Sequence, residues 1–388
     1  MVPKGWEEVQ FSSIVKETQL GTTERHKGEV CEEAIPLLKM GNLTWGSFNL
    51  TNLELIPRAK VDKNLILKKG DFLFNTRNTP ELVGKSAVWD GRIKEITFDN
   101  NINRITFTEK VDSFYLRYYL NFGKGKSKIN SLPAGSTSVA AIYWKDLKNI
   151  KVIIPPLPEQ QKIAKILSTW DKAISTTERL IDNSTQQKKA LMQQLLTGKK
   201  RLLDDEGKRF DKKWERIELG KLLDYKQPTP YLVKSTDYSD EYPTPVLTAG
   251  KTFILGYTDE EFGIFSEDLP TIIFDDFTTA SKFVDFPFKA KSSAMKMLVA
   301  KDGVSIKYIF EVMQALSYAI GGHQRHWISI FANIVIGLPC LEEQQKITAV
   351  SNNADKEIEL LEQQLADLQQ EKKALMQVLL TGKKRVVV

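Results

Sequence analysis

The chain has 388 residues, 41% of them apolar and 27% charged, a soluble globular composition long enough for two or more domains with their own cores. No apolar run approaches the ~18–20 residues of a membrane span, and the opening MVPKGWEEVQ lacks the apolar stretch of a signal peptide. Cys31 and Cys340 are the only cysteines, so nothing suggests a disulfide framework and the cytoplasm is the expected setting; a net charge of +6 and a pI near 8.9 are compatible with a polyanionic partner.

The first unit opens on Trp6, in GWEEVQFSSIV. Ile35–Met40 reads as a strand, followed by the turn-rich GNLTWG. Lys69-Gly70-Asp71 reads as a turn into a strand at Phe72–Asn75, with further strands at Ser86–Trp89 and Arg104–Thr108. Asp112–Phe122 has a helical apolar face in Phe114, Leu116, Tyr118, Tyr119 and Leu120. Gly123–Ala140 is polar and basic and is expected to be a flexible loop. Lys151–Ile154 is a last strand before Pro155-Pro156-Leu157-Pro158, which stiffens the chain ahead of the next segment.

That segment, Glu159–Arg201, begins EQQKI and ends KKALMQQLLTGKKR, and Glu343–Arg385 begins and ends almost identically. The copies align without a gap over about 43 residues with about half the positions identical, which makes them an internal repeat. Neither contains Pro or Gly before the TGK ending, and both are rich in Gln, Lys, Glu, Ala, Leu and Met, so each predicts a helix of ~39 residues, ~58 Å long. A helix of that length needs a partner. The second copy repeats Ile347, Ala354, Leu361, Leu368 and Leu375 every seventh residue, interleaved with Ser351, Ile358, Leu365, Lys372 and Leu379. The first has Ile163, Trp170, Thr177, Ser184 and Leu191, interleaved with Leu167, Ile174, Ile181, Lys188 and Leu195. Two such seams can bury each other; the alternative is two amphipathic helices, each packed on its own domain. Gly198 and Gly382 sit where helix C′ caps belong. The following Lys199, Lys200, Arg201 and Lys383, Lys384, Arg385 serve either as capping and solubilising cations or as phosphate contacts.

Residues 202–213 (LLDDEGKRFDKK) read as a charged linker. The second unit starts at Trp214, echoing Trp6, with strands expected near Val246–Thr248, Thr271–Phe274 and Met295–Val299. A helix over Ile306–Ile320, a polar loop over Gly321–Ser329 and a strand at Ile334–Ile336 precede GLPCLEEQQKI and the second long helix. Both units follow one order, yet their bodies differ strongly in sequence while the helices match. Similar connectors on different heads imply similar mechanics with two recognition tasks.

Tests for catalytic chemistry fail or are weak. Ala249-Gly250-Lys251-Thr252 resembles the end of a P-loop, but Pro245 occupies the first glycine position. No N/D-P-P-[YF] sequence and no G-x-G fingerprint after a strand is present. Asp146-x-Lys148 and Asp275-Asp276 match fragments of nuclease patterns, explained equally well by a strand end and a turn. His323-x-x-His326 lacks a Cys or carboxylate at metal-ligand spacing. No catalytic residue and no metal site is assigned, and the sequence reads as a binder.

The recognition candidates are polar and basic loop residues. Lys124, Lys126 and Lys128 can meet phosphates, and Ser136, Thr137 and Ser138 can donate to phosphates or base edges. Gln324 and Arg325 suit bidentate readout of adenine and guanine. Arg77, Asn78 and Thr79 form another polar cluster, as do Lys251 with Thr252, and Thr278 and Thr279 with Lys282.

The two Trp-led units, the PPLPEQQKI and LPCLEEQQKI helix starts, the KKALMQ and LLTGKKR endings, and LKKGDFLF in the first unit together resemble the specificity subunit (HsdS) family of type I restriction-modification systems. The second unit departs in having Leu269-Pro270-Thr271-Ile272-Ile273-Phe274 in place of a GDxL-like strand. The resemblance implies an α+β chain with an internal pseudo-twofold repeat: target recognition domains at 1–158 and 214–341, spacer helices at 159–201 and 342–388, and a linker at 202–213. The helices form an antiparallel coiled-coil spacer with a recognition domain at each end. It further implies a non-catalytic subunit that reads a split, asymmetric duplex site, one half per domain, with the spacer fixing the unread gap. Two methyltransferase subunits would transfer methyl from S-adenosylmethionine to adenine N6, and two motor-nuclease subunits would complete the complex, so that S-adenosylmethionine, ATP and Mg belong to the partners. Two rival readings remain at this point. A coiled-coil scaffold with protein-binding heads predicts no salt-dependent duplex affinity. A nuclease using Asp146 or Asp275 predicts metal-dependent cutting by the chain alone.

Overall fold

The computed structural model describes residues 2–25, 33–135, 138–248, 252–316, 327 and 330–387. Two compact units emerge, Met1–Thr177 with Gln364–Val388, and Glu178–Gln363.

The first unit carries a four-stranded antiparallel sheet in the order β2 (Val15–Leu20), β9 (Ile102–Phe107), β5 (Phe72–Asn75), β7 (Ser86–Val88). A three-stranded sheet follows the order β4 (Glu54–Pro57), β3 (Ala34–Leu38), β8 (Thr97–Phe98), with β3 and β8 parallel. The opening strand β1 (Glu7–Gln10) pairs with the closing strand β12 (Lys151–Ile154), and a small ribbon joins β10 (Ala134–Gly135), β11 (Ala140–Ala141) and β6 (Arg77–Asn78). β5, sequence FLFN, is buried along its whole length, as an apolar run without alternation requires. The helices are α1 (Ser113–Leu120), α2 (Gly123–Asn130), the single turn α3 (Trp144–Leu147) and the long α4 (Leu157–Leu196). The expected loop over Gly123–Ala140 therefore begins as a helix. Its physical basis is the buried Ile129 and Gly125, where a Cβ would stand 2.0 Å from the Tyr119 carbonyl oxygen; only glycine lets α2 close on α1. Asp146 lies on α3 and not at a strand end.

The second unit repeats this plan: β14 (Leu223–Lys226), β20 (Met295–Ala300), β17 (Thr271–Asp275) and β18 (Ser281–Val284) form the four-stranded sheet. β16 (Ile254–Thr258), β15 (Thr244–Leu247) and β19 (Lys289–Ala290) form the three-stranded one, again with one parallel pair, and β13 (Glu215–Glu218) pairs with β21 (Val335–Leu338). Its described helices include the single turn α5 (Leu219–Leu222), α6 (Ile306–Ala315) and the long α7 (Leu341–Leu379). The helix expected over Ile306–Ile320 ends at Ala315, and residues 317–320 lie outside the described residues. The divergent stretch Leu269–Phe274 nonetheless supplies β17, which holds the sheet position of β5. Apolar residues at matching places satisfy the same sheet without sequence identity.

In each unit the start of one long helix lies against the end of the other. Ile163, Ala164 and Leu167 of α4 share the first core with Met376, Leu379 and Leu380. Met192 and Leu195 share the second with Ile347. Pro158 falls in the first turn of α4, where its missing N–H costs nothing. Gly198 (φ +71) and Gly382 (φ +67) end the helices in the left-handed conformation, with the N–H groups of Lys200 and Lys384 reaching back to the carbonyls of Gln194 and Val378. Of the seam positions, Ile163, Leu167, Leu195, Ile347 and Leu379 are buried. Trp170, Ile174, Ile181, Leu191, Ile358, Leu361, Leu365, Leu368 and Leu375 are half-buried. Polar ties run antiparallel: Asp171 to Lys372 (2.5 Å) in the first unit, Ser184 to Glu357 (3.1 Å) and Lys188 to Asp355 (2.5 Å) in the second.

Asp171 also accepts from Arg117 Nη2 (2.7 Å) and the Tyr118 hydroxyl. Burial pushes its carboxyl up, but the Arg117 and Lys372 cations outweigh this and leave it below the usual range. A carboxylate depressed on folding contributes stability above its unfolded pKa, and that contribution is lost as the pH falls through the folded value. Denaturant melts should therefore show the native chain's advantage over Asp171→Asn fully at pH 7 and shrinking below about pH 4. A constant gap across that range would remove the ion pairs as its source.

Candidate nucleic-acid interface

The EQQ and GKKR segments of the two repeats meet in a pair of equivalent clamps. Glu159 is 3% exposed; its carboxylate accepts from Arg385 Nε and Nη2 (both 2.6 Å) and from Trp6 Nε1 (3.0 Å). Glu343, 1% exposed, accepts from Arg201 Nε (2.6 Å) and Nη2 (2.7 Å) and from Trp214 Nε1 (3.0 Å). The glutamate starting one helix thus takes the arginine ending the other. The next residue fixes the head. Gln160 accepts from the Asp112 N–H ahead of α1 and donates to Pro155 O (both 2.8 Å). Gln344 accepts from Ser305 N–H ahead of α6 (2.8 Å) and donates to Pro339 O (2.9 Å). Arg201 and Arg385 are consumed in these clamps, which answers for the arginines the choice between capping and phosphate contact.

Away from the clamps, each head ties the chain just past its buried central strand to the segment ahead of its closing strand, by strand pairing in the first head and by a side chain in the second. In the first, the chain after β5 carries Thr76, Arg77 and Asn78, and β11 pairs with β6 while Ile142 N–H donates to Thr76 O (2.9 Å). This brings Arg77, Asn78 and Thr79 onto one ribbon with the stretch that contains Ser138. Arg77 and Ser138 are exposed. Asn75, fully buried at the end of β5, donates to Arg77 O (3.1 Å) and Asn101 O (3.3 Å), and its Oδ1 accepts from Asn78 Nδ2 (3.2 Å). In the second head the chain after β17 is held by the segment before β21: Trp327 N–H donates to Asp276 Oδ1 (2.9 Å). Asp276 is buried, with Lys296 Nζ 3.8 Å away. Asp275 Oδ1 accepts from the N–H groups of Phe277 (2.8 Å) and Thr278 (3.2 Å). The Asp275-Asp276 pair is therefore spent on a turn and a buried ion pair. Among the described residues no group of three His, Cys, Asp or Glu side chains is placed to hold a metal, and no helix is long and apolar enough to cross a membrane.

A family model described as the type I restriction modification DNA specificity domain matches residues 3–183. The Escherichia coli EcoR124I/EcoR124II specificity subunit is 50% identical over 143 residues, which is 36% of this chain and 35% of that subunit. The MjaVIII specificity subunit of Methanocaldococcus jannaschii is 25% identical over 99% of this chain and 94% of its own length. Residues 3–183 belong to the specificity-domain family of type I restriction-modification systems. Its fold matches that of the Mycoplasma genitalium S subunit with a TM-score of 0.65 at 14% identity, covering 96% of each chain. Specificity subunits recognise DNA sequence and are not themselves enzymes, so the surfaces that matter are those that face a duplex.

The other sequence candidates are placed unevenly on this chain. Lys124 is exposed on α2 and lines a cleft of about 340 Å³ with Lys383. Lys126 lies over the Trp45 ring (3.9 Å) and Lys128 donates to Lys151 O (2.7 Å), with Glu8 at 3.4 Å. Thr278 and Thr252 are exposed, and Lys282, on β18, has its ammonium 6.0 Å from the Phe253 ring beside Thr252. Ser136, Thr137, Lys251, Gln324 and Arg325 lie outside the described residues. Sequence reasoning missed Arg25, which donates to Asn100 Oδ1 (3.0 Å) and faces the buried Asp99 at 3.6 Å. Burial raises the Asp99 carboxyl above its ordinary range, with the Asn101 amides pulling the other way. The Asp-Asn-Asn run at 99–101 was a turn signal in the sequence. Phe277, 46% exposed, carried no signal at all.

Proposed function

We propose that this chain reads a bipartite, asymmetric duplex site, one half per head, and that α4 and α7 set the length of the gap between the halves. Two methyltransferase subunits then methylate adenine N6 from S-adenosylmethionine, and two ATP- and Mg-dependent motor-nuclease subunits restrict unmodified DNA, all in the cytoplasm. The observation that carries this reading is the equivalence of the two heads. Each repeats one strand order, one clamp and one paired-segment junction, while the exposed residue two positions past the strand end is Arg77 in one and Phe277 in the other. A shared scaffold with different side chains at the same place is what a non-palindromic site demands.

Mapping N6-methyladenine across the source genome, with and without the gene, should show one split motif lost on deletion. Salt-dependent selection of the same motif from random duplexes should accompany it, with the partner subunits present. An unchanged methylome together with no duplex selection would overturn the proposal in favour of a protein-binding scaffold.

A further inference from the structure

β17 and β18 form the edge hairpin of the four-stranded sheet in the second head, and Phe277 sits in the turn between them. The turn is rigid. Besides the two N–H groups held by Asp275 Oδ1, Thr279 N–H donates to Asp275 O (2.9 Å), and Thr279 takes φ +61, unusual for a β-branched residue. Both aspartates have internal partners, Asp275 Oδ1 in the turn amides and the buried Asp276 in Lys296 and Trp327 N–H. Lys282 is exposed on the adjoining strand. Phe262, also strongly exposed in this unit, lies against Lys234 (4.6 Å) and Lys289 (4.2 Å). Phe277 has no such cation–π partner and no ring contact among the described residues. A two-stranded ribbon fits the major groove, and there an exposed apolar ring has one matching feature, the 5-methyl group of thymine.

The geometry points to Phe277 as a base-contacting residue of the second head, its ring set against a thymine methyl group at one position of that head's half-site. Arg77 holds the equivalent place in the first head, where a guanidinium suits guanine. The inference rests on the proposed division of the site between the heads.

The test uses the full chain with its methylating partner in selections from random duplex DNA. The native chain should require thymine at one position in one half-site, and Phe277→Ala should lose that requirement while keeping the other half-site. In a duplex with deoxyuridine at that position, which lacks only the methyl group, native affinity should fall about three- to five-fold and Phe277→Ala affinity should not change. Should Phe277→Ala abolish binding altogether, Phe277→Gln keeps side-chain bulk without the apolar face and should show the same relaxed selection. A native chain that selects no split site overturns both this inference and the proposed function. A split site with unaltered selection in the variants, or equal deoxyuridine losses in native and variant chains, overturns this inference alone.

Discussion

Arg201→Ala should lower the unfolding free energy of the second unit by about 3 kcal/mol, the lower end for breaking a buried ion pair. The cost comes from what is left behind. Glu343 is 1% exposed, and without the guanidinium its carboxylate keeps, among the described residues, the Trp214 N–H as its side-chain donor. A carboxylate in that position is compensated by two charge-assisted bonds at 2.6 and 2.7 Å from a planar fork, a geometry lysine does not reproduce. Arg201→Lys should therefore recover only part of the loss. Arg385→Ala should cost the first unit less, because Arg385 has 43% of its side chain exposed against 18% for Arg201, and water can replace more of its interactions. Denaturant unfolding followed by tryptophan fluorescence would measure all three, since Trp214 and Trp6 sit in the clamps. A loss below about 1 kcal/mol for Arg201→Ala would place the clamp with ordinary surface ion pairs and remove it as the device that fixes head to helix.

Much of this architecture was legible because it rests on spacing. The heptads Ile163–Leu167 and Ile347–Ser351 fall where a 3.5-residue repeat puts them against a partner, and Gly198 and Gly382 end the helices because a left-handed residue is needed there. The clamps were not legible. Glu159 and Arg385 are 226 residues apart, and each looks locally like an acidic first turn or a basic last turn, which helix electrostatics already explains. Only the three-dimensional pairing shows that the two local rules have one joint cause. The loop expected over Gly123–Ala140 failed for a related reason. GKGKSKIN has poor helix propensity, and the helix forms because Ile129 is drawn into the core and Gly125 lets it approach α1, both of which are tertiary effects. Arg77 was visible as a polar cluster after a strand, whereas Phe277 was invisible because an isolated phenylalanine near a strand reads as core. The two positions become equivalent only when the strands β5 and β17 are superposed in plan.

Removing four residues from each long helix, at facing positions around Ser184 and Glu357, should shorten the unread gap of the recognised site and leave both half-site sequences intact. Four residues remove ~6 Å of helix and turn it about 40° beyond a full revolution. At ~3.4 Å per base pair the expected change is one to two base pairs, and the duplex turns by about 35° per base pair, so a one-pair change also comes close to restoring the angular phase of the heads. The clamps lie outside the deleted stretch, and so do the junctions that carry Arg77 and Phe277, which is why base preference should be unaffected. The central stretch is also the most tolerant of such surgery. Its seam residues Ile181, Ile358 and Leu361 are half-buried, whereas Ile163, Leu195, Ile347 and Leu379, nearer the helix ends, are fully buried in the head cores. Selection from random duplexes would report both quantities at once. A shorter gap with both half-sites retained supports the helices as a ruler. An unchanged gap assigns the spacing to the heads, and altered half-site sequences would mean that the helices shape the reading surfaces themselves.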